Sequence, residues 1–106
     1  MPKFLMEANY NVEGANGLIK EGGSKRSEAA KAAIKSVGGK MEAFYFAFGD
    51  TDAFVIFDAP DAASAAAASA VINASGVVQV RTTVLLTPAD MDTAVKKKVK
   101  YRAPGQ

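Results

Sequence analysis

Chemistry in this sequence would depend on a few polar side chains at or beside predicted strands: Glu7, Asn9, Tyr45, Asp52, Arg81 and Thr83. Among them, Arg81 could hold an anion and Tyr45 could offer a hydroxyl group to a ligand. Proton transfer would fall to Asp52 or Glu7, because carboxylates are the remaining acid–base groups in the set. These residue types indicate binding of a small polar organic ligand. The only reaction that they could catalyse is simple acid–base chemistry on that ligand.

The residue types that the chain lacks exclude several classes of mechanism. Its 106 residues contain no cysteine and no histidine. Without cysteine there is no disulfide, no thiolate nucleophile and no iron–sulfur cluster. Without histidine, the usual general base and the commonest metal ligand are missing. We therefore expect no metal and no cofactor, so that any reaction would be cofactor-free.

Length and charge indicate one small domain with a basic end. Chains usually divide into several domains only above about 250 residues. Five of the thirteen Lys and Arg lie within residues 96–102, so residues 1–95 carry eight basic against eleven acidic groups, a net charge of −3. Such a cluster could attract nucleic acid, but short charge runs more often lie on solvated helix ends, which we favour.

Location is inferred from what the sequence does not contain. The first residues meet Glu7 too early to form the apolar core of a signal peptide. No apolar run reaches the roughly 18 residues of a membrane helix. We therefore expect a cytoplasmic protein that does not bind membranes.

The order of apolar and turn-forming segments predicts an α+β domain. Strands are predicted at 3–10, 40–48, 53–58 and 77–86, and helices at 24–37, at 60–76 and after Thr87. Before the first helix we expect only a short helical turn at 18–20. The βαββαβ order is that of the ferredoxin-like sandwich, a four-stranded antiparallel sheet with two helices on one face. We assign this domain to residues 1–90 and a C-terminal helix with a basic tail to residues 91–106.

The second and third predicted strands are apolar on both faces. In the second, one face carries Phe44, Phe46 and Phe48 and the other Met41, Ala43, Tyr45 and Ala47; in the third, Phe54 and Ile56 alternate with Ala53, Val55 and Phe57. A sheet with helices on one side should instead alternate apolar and polar residues. Since two helices cannot cover both faces, we expect a second copy of the sheet to cover the other one. The sequence therefore predicts a homodimer.

The first and fourth strands are polar on the face that would meet the second copy. This face carries Glu7, Asn9, Gln79, Arg81 and Thr83, while the apolar residues of both strands would meet the helices. Pairing of the two strands could bring Glu7 or Asn9 near Arg81. Such groups could orient a small polar ligand or fix the register of the dimer, and we favour the register.

Several segments resemble the GYD-domain family, small bacterial and archaeal proteins of the dimeric α/β-barrel group. The similar segments lie at residues 10–14, 28–31, 38–40, 44–45, 49–52, 59–61 and 80–83. The tyrosine that gives the family its name is Thr51 here, so no role of that phenol transfers to this chain. Gly49 and Asp52 remain, and both are ordinary turn residues. The resemblance implies a dimeric α/β barrel and supplies no mechanism.

Two functions fit these expectations. The first is a homodimer that binds a small organic ligand, and the resemblance implies relatives that act on aromatic or polyketide-like substrates between helices and sheet or within the barrel. The second is a non-catalytic assembly or regulatory module, whose sheet face serves oligomerisation. An enclosed polar cavity beside Arg81 and Tyr45 would favour the first function, and a filled barrel would favour the second.

Overall fold

Four strands and four helices follow one another in the computed structural model, which describes residues 1–106. They are β1 (Lys3–Tyr10), α1 (Val12–Glu21), α2 (Gly23–Ser36), β2 (Lys40–Phe46), β3 (Ala53–Asp58), α3 (Ala62–Ala74), β4 (Val78–Leu85) and α4 (Pro88–Val95). The strands form one sheet in the order β2-β3-β1-β4, and all neighbouring strands are antiparallel. The predicted α+β, ferredoxin-like arrangement is therefore confirmed.

Three of the four helices begin where a polar side chain caps them. The Asn11 side chain accepts a hydrogen bond from a backbone N–H in the first turn of α1, and Asp61 does the same for α3. Thr87 and Asp90 form a reciprocal capping box at the start of α4. The backbone N–H of Ser64 lowers the pKa of Asp61, because its hydrogen bond favours the charged carboxylate. Local sequence thus determines where these helices start.

The first helix is longer than the sequence predicts. The expected short turn at 18–20 is part of a helix that spans Val12–Glu21. The glycines at 14 and 17 lower the helix propensity of this segment, which is why the sequence favours a turn. In the fold, Gly14 lies against the backbone of Val77, at the start of the distant β4. Packing between segments far apart in the chain therefore overrides the local preference.

The core lies between the sheet and the helices α2 and α3. Its sheet side consists of buried residues of three strands, Phe4, Met6, Ala8, Ala53, Val55, Phe57, Val78 and Val80. The helices contribute Ile34, Ala65 and Ala68. This burial confirms the inward face that the sequence predicts for the first strand and, in the fourth, for Val78 and Val80. Val84 and Leu86, which were expected to meet the helices as well, are exposed. For the third strand, the burial shows that Phe57 and its alternate neighbours point inward.

The second strand differs from the prediction in two respects. Strict alternation places Met41 and Phe44 on different faces of the strand, but a β-bulge between Met41 and Ala43 shifts the register. Met41 and Phe44 therefore both pack against the core. In addition, β2 ends at Phe46, and the side chain of Phe48 is fully exposed in the loop that follows. A bulge inserts one extra residue, which a period-two pattern cannot reveal.

No helix covers the other face of the sheet, which we call the open face. It carries the strand residues that alternate with the core: Lys3, Leu5, Glu7, Asn9, Ala43, Tyr45, Phe54, Ile56, Asp58, Gln79, Arg81, Thr83 and Leu85. Its apolar residues include Tyr45, whose exposure reaches 70%. That a second copy of the chain covers this face stays a prediction.

The C-terminal segment extends away from the sheet. Every residue in the range 86–106 is exposed. The Cα radius of gyration is 16.8 Å and the longest dimension 56 Å, whereas a compact chain of this length would have a radius of gyration of about 13 Å. α4 begins at Pro88, slightly before the division between domain and tail that the sequence suggests. None of the four helices has the length and apolar content needed to cross a membrane.

Candidate functional site

An apolar cavity of about 160 Å³ lies between the helices α2 and α3 and the inner face of the sheet. Twelve of its thirteen lining residues are hydrophobic, and the exception is Arg26 of α2. The sheet side includes Met6, Phe44 and Val55, and α3 contributes Ile72. The cavity is therefore a pocket for apolar atoms with a single cationic group in its wall.

Alanine is the reason that this space is empty. The lining includes five alanines, three on α2 and two on the sheet: Ala29, Ala30, Ala33, Ala8 and Ala53. An alanine side chain ends at Cβ, so alanines that face each other leave a gap which longer side chains would fill. Ile34, one residue after the last of the helical alanines, is fully buried in the core. The helix thus packs tightly at Ile34 and leaves the cavity before it.

One end of the cavity adjoins a charged cleft. The residues Tyr10, Arg26 and Val78 line both the cavity and a second space of about 290 Å³. That second space is bordered by α1, which places Glu13 and Glu21 in its wall. We call it the charged cleft. An apolar pocket with a few polar groups at one end is the usual form of a small-molecule site.

Five of the six predicted site residues lie on the open face, away from the cavity: Glu7, Asn9, Tyr45, Arg81 and Thr83. Glu7 is directly opposite Arg81 in the pairing of β1 with β4, as the sequence suggests. The two side chains form no ion pair within 4 Å, since both ion pairs of the chain belong to Lys3. Tyr45 lies opposite Phe54, and Thr83 lies opposite Leu5. No cavity adjoins Arg81 and Tyr45 in the single chain.

The sixth predicted site residue, Asp52, lies in the β2–β3 loop, and with Asn9 it holds this loop against the end of β1. The Asp52 carboxylate accepts a hydrogen bond from the backbone N–H of Tyr10 at 2.9 Å. The Asp52 backbone N–H donates to the Asn9 side chain at 3.1 Å and to the Ala8 carbonyl at 2.9 Å. Thr51, in the same loop, is buried. This arrangement accounts for Asp52 as an anchor of the hairpin loop.

None of the six predicted residues lines the cavity. Two lining residues with hydrogen-bonding groups were not predicted: the charged Arg26, and Tyr10, whose apolar ring carries a hydroxyl group. A signal for Arg26 was present, because the predicted apolar stripe of α2 runs through residues 30, 33, 34 and 37. Arg26 stands one helical turn before that stripe and on the same side. A cation in line with a row of alanines is the pattern that would have indicated the site.

The structure contains no group of three or more carboxylate side chains placed to hold a metal ion. The absence of a metal and of a cofactor stays a prediction. The cavity itself contains no carboxylate, so its own residues can bind and orient a molecule but offer no carboxylate for proton transfer.

Comparison with known proteins gives a family and no closer relative. Searches of curated proteins and of solved structures found no match to this chain. The GYD domain matches residues 4–95, which is most of the 106-residue sequence and includes all eight elements of the fold apart from the first residue of β1. The chain belongs to the GYD-domain family.

Proposed function

We propose that this chain is a homodimer that binds a small organic ligand in the cavity between its helices and its sheet. The observation that carries the proposal is the apolar cavity of about 160 Å³. An engineered apolar cavity of about 150 Å³ in another protein stays dry and takes up benzene. Pockets for drug-sized molecules are larger, at about 300–1,000 Å³. The volume therefore suits one aromatic ring or a short branched alkyl group.

Packing favours an apolar occupant of the pocket. The pocket is partly open to solvent, since its lining residue Ala29 is exposed. An apolar ligand would displace water from the apolar wall and make contacts that the alanines do not make. We therefore expect binding to be detected most simply as thermal stabilisation.

The open face supports the homodimer. It combines apolar side chains such as Leu5, Phe54 and Ile56 with the unpaired charges of Glu7 and Arg81, while the ion-paired Lys3 and Asp58 lie at one end of the same face. In a two-fold symmetric interface the same surface is used twice, so Glu7 of one copy can approach Arg81 of the other. An extended C-terminal segment also exposes apolar side chains, among them Met91, Val95, Val99 and Tyr101. Such surfaces are typical of proteins that associate.

A second candidate function is a non-catalytic assembly or regulatory module, and the open face favours it. In that case the open face serves only to join copies, and the cavity is a packing defect. Expected results for the two candidates differ, since an assembly module dimerises without responding to any small apolar compound. The cavity variant separates them, and the open-face variant tests the dimer that both candidates share.

Filling the cavity should abolish ligand binding. In Ala33→Leu, the longer side chain enters the cavity, so we expect benzene, toluene and indole to lose their stabilising effect. In the wild type, a ligand at ten times its Kd should add about 1.4 kcal/mol to the free energy of unfolding. The control is Ala32→Leu, because Ala32 is exposed on the same helix. A wild type that responds to none of these compounds, or an Ala33→Leu variant that responds equally, would contradict the cavity as a site.

A charge on the open face should separate the dimer. In Tyr45→Lys, a side chain that is 70% exposed in the single chain would be buried without a counter-charge in the dimer. We expect the dimer Kd to rise at least tenfold, which corresponds to about 1.4 kcal/mol, as measured by sedimentation equilibrium. Val71→Lys on α3 is the control, since Val71 is 73% exposed away from the open face. A wild type that sediments as one chain at every concentration refutes the dimer.

A further inference from the structure

We infer that the ligand is a free amino acid with an apolar side chain, bound with that side chain in the cavity and its charged head group in the charged cleft. The inference rests on the proposed function, because it requires the cavity to be a binding site. It adds the chemical class of the ligand, which neither the family nor the cavity volume gives. The head group would be recognised by Arg26, Glu13 and Glu21.

Arg26 has the position that a carboxylate site requires, and its guanidinium group is not paired with a carboxylate of the chain. It lines both the cavity and the charged cleft and is half-buried. It forms no ion pair within the chain, since both ion pairs belong to Lys3. A guanidinium group offers five N–H donors in a planar fork that matches a carboxylate. Arg26 can therefore bind the carboxylate of a molecule whose apolar part occupies the cavity.

The two glutamates of the charged cleft favour an amino acid over a simple carboxylic acid as the ligand. Glu13 and Glu21 line the cleft together with Arg26, and neither forms an ion pair within the chain. One positive and two negative side chains give the cleft a net charge of −1. A simple carboxylic acid would meet Arg26 but be repelled by both glutamates, and a simple amine would be repelled by Arg26. A zwitterion satisfies both signs, which is the basis of electrostatic complementarity.

The cavity restricts the side chain of this amino acid. Twelve of the thirteen lining residues are hydrophobic, so a polar side chain would lose hydration without finding hydrogen-bond partners. The volume of about 160 Å³ is close to that of a cavity that holds one benzene ring. Phenylalanine and leucine are therefore the amino acids that fit the space and the chemistry.

Four probes with the same ring test the inference: L-phenylalanine, 3-phenylpropanoate, 2-phenylethylamine and toluene. Affinities are measured by calorimetry on the full chain. We expect L-phenylalanine to bind at least tenfold more tightly than any of the other three. Arg26→Gln should weaken L-phenylalanine and 3-phenylpropanoate at least tenfold and leave 2-phenylethylamine unweakened. The double variant Glu13→Gln, Glu21→Gln should weaken L-phenylalanine and 2-phenylethylamine in the same measure and spare 3-phenylpropanoate.

Matched controls remove charges of the same sign outside the cleft. Lys25→Gln is the control for Arg26→Gln, and Glu28→Gln is the control for the glutamates, because both residues are exposed on α2 and line neither space. Both controls should bind L-phenylalanine like the wild type. Thermal unfolding of each variant shows whether it is folded before its affinity is compared.

The outcomes separate this inference from the proposed function. If toluene, 3-phenylpropanoate or 2-phenylethylamine binds as tightly as L-phenylalanine, the amino-acid inference is wrong and the cavity still binds ligands. The inference also fails if Arg26→Gln weakens all four probes equally, since the effect is then not directed at the carboxylate. If no probe binds the wild type, both the inference and the proposed function fail.

Discussion

Phe57→Ala is expected to destabilise the protein by about 3–5 kcal/mol. The Phe57 side chain is fully buried in the core, and its ring stacks on that of Phe4 with the centroids 5.5 Å apart. Truncation removes buried apolar surface and leaves a cavity that the neighbouring strands cannot close. Since small domains are stable by only 5–15 kcal/mol in general, the loss would be a large fraction of the total.

Urea denaturation of Phe57→Ala and Phe48→Ala measures this effect against a matched control. Phe48 is also a phenylalanine, but its side chain is fully exposed in the β2–β3 loop. Its replacement should change the free energy of unfolding by less than about 0.5 kcal/mol. If the two variants lose similar stability, Phe48 is covered in solution and the described exposure of this loop does not hold.

Gly14→Ala should destabilise the fold by roughly 2–3 kcal/mol, although alanine is the better helix former. A Cβ atom at residue 14 would collide with the carbonyl oxygen of Val77. That oxygen already accepts the backbone N–H of Asn11 at 3.1 Å, and the Asn11 side chain donates to the Gly76 carbonyl. The start of α1 is thus held against the start of β4, and an added methyl group would separate them.

Gly17→Ala is the control for this effect, because both glycines lie in α1. A Cβ atom at Gly17 has no heavy atom within 4 Å, so the substitution should stabilise the protein by about 0.4–1 kcal/mol. The two free energies of unfolding should therefore change in opposite directions. Stabilisation by Gly14→Ala would show that α1 does not pack against β4 as described. Gly14 also lines the charged cleft, so its variant is tested for stability and not for binding.

The alternation of apolar and polar residues along β1 and β4 made it possible to predict which face of the sheet is buried. Phe4, Met6 and Ala8 are buried as expected, since successive strand side chains point to opposite faces and the helices cover only one of them. The same rule brought Glu7 and Arg81 to one face, and strand pairing then placed them opposite each other. Met41 is the exception, because the β-bulge beside it changes the count of residues along one strand only.

Prediction of the candidate site was less successful, and Arg26 shows why. The six predicted residues are polar residues at or beside the strands, and they lie on the open face or at the hairpin loop. Arg26 lies on a helix, where its solvent-exposed neighbour Lys25 is also basic. The position of α2 over the sheet distinguishes the two residues, because it places Arg26 in the cavity wall and leaves Lys25 outside it.

The amino-acid sequence by itself determined the order of the four strands and of the helices α2, α3 and α4, and the face that each of β1 and β4 turns to the core. These features depend on periodicity and on contacts within a few residues, which can be read along the chain. The tertiary structure decided the length of α1, the orientation of Met41 and the cavity beside Arg26. Each of these depends on how closely two distant segments approach, and a cavity is the space left between such segments, which no local pattern records.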